Sequence, residues 1–173
     1  MAEKTYKVYD LKVTLQSGLM WDFSKEKISR TIRIRGNQKL RTLHNAIFDA
    51  FERYDAHLYE FYLSPDPENR KKKKFDRYSA RNYQRFTEME YTDEPFPGQK
   101  DVKINIDKLG LNQGDIFFYL FDFGDDWVHQ IKVISIDETA KKEKLPKVVE
   151  SKGEAPPQYP DMEDEDDWDD EEE

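Results

Sequence analysis

The sequence predicts an α+β fold: one mainly antiparallel sheet with its principal helix packed on one face. Three observations predict it. Apolar residues alternate with polar ones in several separate stretches, one stretch switches to helical spacing, and residues 115–136 read as two strands around a tight turn. The order is ββαβ, then a basic insertion over residues 66–100, then a β-hairpin.

Tyr9, Leu11, Val13 and Leu15 alternate with polar residues, the period of a half-buried strand, until Ser17-Gly18 breaks it. Ile28, Ile32 and Ile34 alternate with Ser29, Thr31, Arg33 and Arg35, predicting a second strand antiparallel to the first and ending at Gly36-Asn37. From Gln38 the period changes: Leu40, Leu43, Ile47, Ala50 and Phe51 predict an amphipathic helix over about residues 38–53. His57, Tyr59, Phe61 and Leu63 predict a third strand, stopped by Ser64-Pro65-Asp66-Pro67.

Within the insertion, Phe75, Tyr78, Phe86 and Met89 share one helical stripe, and Arg77, Arg81 and Arg85 recur every fourth residue, which predicts a basic helix. Val102, Ile104 and Ile106 predict a short strand followed by a turn at 107–111. The continuous apolar run Ile116–Phe121 predicts a central strand covered on both faces. Trp127, His129, Ile131 and Val133 alternate on the returning strand. In the intervening turn Gly124 is expected to supply a positive φ, Asp122 and Asp125 to cap backbone N–H groups, and Trp127 to close the core. The Asp122-Phe123-Gly124 triplet is not read as a kinase motif, because no glycine-rich phosphate loop or His-Arg-Asp segment accompanies it.

The chain has 173 residues, no cysteine and 14% aromatic content, which suits one domain over residues 1–153 with a core of large rings and no disulfide. A cytoplasmic setting is expected, and no apolar run has the length of a membrane span. The net charge of −9 is local. Residues 161–173 hold 11 of the 37 acidic residues, and without them 26 acidic residues face 28 basic ones, a charge of +2. Residues 154–173 are therefore expected to form a Pro-containing, acidic, disordered tail. It reads either as a solubilising segment or as an interaction segment carrying Met162 and Trp168.

Three segments carry a resemblance. Tyr119 to His129, reading YLFDFGDDWVH, resembles the signature of the Ri-plasmid orf-three-like family, some of whose members are passengers of insertion elements. Leu43-His44-Asn45-Ala46-Ile47 with Phe51, His57-Leu58 and Phe61 is similar to that family's helix-to-strand motif. Gly153-Glu154-Ala155-Pro156-Pro157 resembles its Gly-Glu…Pro-Pro element. There are departures: Ser29-Arg30-Thr31 replaces Trp-Arg-Arg, Glu52-Arg53-Tyr54 replaces the Gly-Trp after the helix, and the acid run replaces a glycine-rich segment and final helix. The resemblance implies the fold and a link to mobile elements, and it carries no reaction.

Two constellations remain for function. His44, His57 and His129, with Asp122 or Asp125, form a ligand set for a divalent metal or an acid/base pair if the helix brings them together. The alternative is three structural histidines. Residues 70–85 hold eight basic residues and one acidic one; Arg70, Lys71, Lys72, Lys73, Lys74, Arg77, Arg81 and Arg85 interleave with Phe75, Tyr78 and Tyr83 as an anion or nucleic-acid surface would. The acidic tail is expected to pair with this insertion in cis and compete with an anionic partner. The leading expectation is a non-enzymatic binding or adaptor domain for protein or nucleic acid, without a cofactor; the alternative is a small metal-dependent or histidine acid/base enzyme.

Overall fold

In the computed structural model, the described residues are 3–91, 93–94 and 97–160. Nine strands make one sheet: β1 (Tyr6–Gly18), β2 (Trp21–Asp22), β3 (Ser29–Arg35), β4 (Tyr59–Leu63), β5 (Gln84–Thr87), β6 (Gln99–Asp101), β7 (Ile116–Phe121), β8 (Trp127–Thr139) and β9 (Lys147–Lys152). Their spatial order is β6-β5-β4-β7-β8-β1-β3-β9, with β2 folded back on the end of β1. Every pairing is antiparallel except β5 with β6. The single α-helix among the described residues, α1 (Leu40–Ala50), is shorter than its apolar period suggested.

The alternating strands define one apolar face. Leu11, Val13 and Leu15 of β1, Ile32 and Ile34 of β3, and Ile131 and Val133 of β8 are almost wholly buried, together with Leu40, Leu43 and Ile47 of α1. Each such side chain contributes roughly 1.5–3 kcal/mol relative to exposure. No side chain caps the start of α1. Leu40 and Arg41 instead donate their backbone N–H groups to the carbonyls of Ile104 and Val102. That contact explains why Val102, Ile104 and Ile106 are not a strand: the carbonyls of Val102 and Ile104 serve the helix, Ile106 donates its N–H to the Gln38 carbonyl, and Ile106–Leu109 is a 3-10 turn.

All six residues of β7 are buried. Phe117, Tyr119 and Phe121 face the helix side, while Ile116, Phe118 and Leu120 face outward beneath Phe75, Tyr83 and Val128. The insertion supplies that outer cover. Its basic helix is absent: Arg77–Asn82 is a 3-10 turn, and residues 84–87 pair with the edge of β4 as β5. Pairing with β4 buries Phe86, which a solvated helix would leave more exposed.

The C-terminal boundary also moves. The Lys- and Pro-rich stretch contains β9, and Ala155 and Gln158 are buried against the body. Gln158 accepts the backbone N–H groups of Tyr54 and Asp55 and donates to the Asp55 carbonyl. Within residues 154–160, Ala155 and Gln158 thus pack on the body; 161–173 lie outside the described residues.

Candidate functional site

The three histidines all come near the helix face of β7, yet each has its own partners. His44, on α1, shares a 2.6 Å hydrogen bond with the Tyr119 hydroxyl and stacks on Tyr59 with ring centroids 3.5 Å apart. Burial drives its pKa down to about 4, against the nearby Glu88 carboxylate, so the ring is neutral near pH 7. Tyr59 in turn donates to Glu88, whose carboxylate is also held by Arg41.

His129, on β8, is completely buried. Its Nδ1 lies 3.2 Å from the Tyr119 carbonyl, which can only accept, so Nδ1 carries the proton and the Nε2 lone pair accepts from Arg53 at 2.9 Å. Burial, and then Arg53, hold its pKa well below the usual histidine value. Arg53 itself lies over the rings of Phe51, Phe121 and Trp127, at 5.3, 5.0 and 5.3 Å, and burial pushes its pKa down to about 10. Cation–π contacts replace the carboxylate a buried arginine would normally find.

His57 corrects the expectation that it sits on a strand: it precedes β4 and is half-exposed. Its Nε2 lies 2.7 Å from the Tyr159 hydroxyl and 3.5 Å from carboxylate oxygens of both Asp55 and Asp122. The structure thus joins His57 with Asp122 and leaves His44 and His129 engaged elsewhere. Among the described residues no group of three His, Asp or Glu side chains is placed to hold a metal ion.

At the β7–β8 turn, Asp122 Oδ1 accepts from the N–H groups of Gly124 and Asp125. The positive φ falls on Asp122 (62°) and Asp126 (54°) rather than on Gly124. Asp122 can occupy that region because its short side chain bonds its own turn. Trp127 is buried at this end, stacked on Phe23 and pressed under Gly18, where an added Cβ would lie 2.1 Å from the indole.

The basic residues of the insertion fall into different environments. Arg70 is buried, donating to the carbonyls of Ser64 and Gly110 and pairing with Asp115 at 3.5 Å. Arg85 makes a two-point pair with Glu60. Lys71 reaches Asp115 at 3.3 Å, whereas Lys72, Lys73, Lys74 and Arg81 are exposed. Phe75 and Tyr83 pack on Tyr62 and Phe118, so neither ring is free to stack on a base. The side chains of Arg77 and Tyr78 lie outside the described residues, as does the acidic segment expected to pair with this run.

A feature absent from the sequence expectations lies on the outer face. A groove of about 680 Å³ runs between the β1–β2 hairpin and the Lys74-Phe75 segment, with Leu120 and Val128 inside and Asp22, Asp125 and Asp126 along it. The hairpin turn is Leu19-Met20, and both have positive φ, 52° and 68°. Asn-Gly is the usual occupant of such a two-residue turn, and each bulky residue there costs about 1–3 kcal/mol. Met20 is fully exposed (104%) and Trp21 is 70% exposed. Leu19 ties the hairpin to the β7–β8 turn through a 2.8 Å bond from its N–H to the Asp125 carbonyl.

The sequence profile of the plasmid pRiA4b ORF-3-like protein family matches residues 7–167, nearly the whole chain. The chain belongs to that family. No curated protein matches it. The crystal structure of a protein of unknown function from Methanosarcina mazei Go1 is similar at a TM-score of 0.64, with 20% identity over 88% of this chain and 73% of that one. That likeness establishes the family member's fold. No helix among the described residues is long and apolar enough to cross a membrane.

Proposed function

We propose that this family member is a non-enzymatic protein-binding domain whose contact surface is the β1–β2 hairpin and the groove beside it. The observation that carries the reading is Met20 and Trp21, held in water on a turn strained at two consecutive residues. Stability alone would favour Asn-Gly there, and retained strain in the presence of exposed apolar side chains points to use. Met adapts its shape to a partner, and Trp is among the residues that dominate interface energies.

The enzyme alternative is supported less well, because His44 and His129 are neutral and each is engaged by its own neighbours. Nucleic acid is supported less well too, since Arg70 and Arg85 are committed to Asp115 and Glu60. The test is selection of displayed random peptides on the full chain and on a Met20→Ser/Trp21→Ser variant of unchanged melting temperature. Peptides enriched on the wild type and lost from the variant are expected. Equal enrichment on both would overturn the reading.

A further inference from the structure

The groove has a charge pattern as well as an apolar floor. Asp22 stands on the hairpin side, Asp125 and Asp126 on the β7–β8 turn, and Lys74 alone opposes them among the residues that line it. The apolar part is formed by Phe75, Leu120 and Val128. Hydrophobic contact thus lies at the centre and carboxylates at the margin, the arrangement in which a core supplies affinity and a charged rim selects the partner.

We infer that the groove takes a cationic amphipathic segment of another protein, its apolar side chains against Leu120 and Val128 and its lysines or arginines toward Asp22, Asp125 and Asp126. This rests on the protein-binding reading above and adds the class of partner. The carboxylates lie close together: burial, and then Asp122, push the Asp125 carboxyl above its usual range, with Asp126 adding to the shift and His57 partly offsetting it, so a cation brought into the groove relieves like-charge contact. An acidic segment, including the chain's own residues 161–173, would meet like charge on two sides of the groove. The hairpin is fixed to the acidic turn by the Leu19–Asp125 bond, so apolar tip and charged rim are presented together.

The experiment uses the full chain and three dye-labelled peptides of about sixteen residues, identical at their helically spaced Leu and Phe positions and differing in whether the other positions are Lys, Gln or Glu. Fluorescence anisotropy is expected to give the Lys peptide at least about tenfold tighter binding than the Glu peptide, an advantage that shrinks as salt rises and on Asp125→Asn. Trp21→Ser should weaken the Lys and Gln peptides together. Equal affinity for all three peptides, lost with Trp21→Ser, would overturn the charge selection and leave the protein-binding reading standing. No binding by any peptide, or binding indifferent to both substitutions in variants of unchanged melting temperature, would overturn both.

Discussion

His44 shows how a single polar side chain in an aromatic setting shapes the response to acid. Its folded pKa is about 4, against about 6.5 for an exposed histidine. Between these values the unfolded chain takes up a proton that the folded one refuses, so stability is full above pH 6.5 and falls as pH drops toward 4. The loss amounts to roughly 3 kcal/mol, and His129, depressed in the same direction, adds to it. A His44→Gln variant is expected to show a shallower decline of unfolding free energy between pH 6.5 and 4.5, by about 2–3 kcal/mol, in denaturant titrations at each pH. A slope unchanged by the substitution would remove His44 from the account. At this scale the sequence was partly legible. It pointed to His44, His57 and His129 as unusual, but Arg53, the residue that donates to the His129 Nε2, carries no sequence mark: an arginine just past a helix end normally faces water.

At the scale of elements, the β1–β2 hairpin sets binding against stability. Replacing Leu19-Met20 by Asn-Gly is expected to raise unfolding free energy by about 1–3 kcal/mol, the strain of two positive-φ residues less the packing lost with the partly buried Leu19, and to abolish peptide binding. A variant that is neither stabilised nor impaired would contradict both halves. The same elements explain what the sequence could reveal. The β7–β8 hairpin was legible because Ile116–Phe121 is unbrokenly apolar and Trp127–Val133 alternates. The hairpin at Leu19-Met20 was not, since neither residue is a turn former and β2 is two residues long. Likewise β5, one strand in from the edge, and β9, at the opposite edge, are rich in polar residues, and their pairing is dictated by the strands beside them rather than by their own pattern. After α1 the chain turns at Glu52 (φ 58°), a left-handed conformation that glycine adopts more readily than glutamate, so the helix end is not marked by its usual residue.

For the whole molecule, the distribution of charge separates body from terminus. A chain ending at Pro160 loses 11 acidic residues and changes from −9 to +2, yet keeps Ala155 and Gln158 in place. Its melting temperature is expected to match that of the full chain, whereas a chain ending at Gly153 should melt several degrees lower, since it strips the Gln158 bonds from Tyr54 and Asp55. Equal melting of all three would mean that residues 154–160 add nothing. The shorter of these boundaries is the one that composition suggests. Proline and acid content do not reveal that residues 154–160 pack on the body, because a single glutamine satisfying two backbone N–H groups has no compositional trace.

Arg30 makes a last connection across the fold. Its guanidinium donates to the carbonyl of Ala50 at the end of α1, to that of its neighbour Ser29, and to those of Lys152 and Gly153 where β9 ends. One side chain therefore fastens the helix terminus and the outermost strand to the same point. In native-state hydrogen–deuterium exchange, the last turn of α1 and the end of β9 should open as one cooperative unit, and Arg30→Ala should raise exchange in both together.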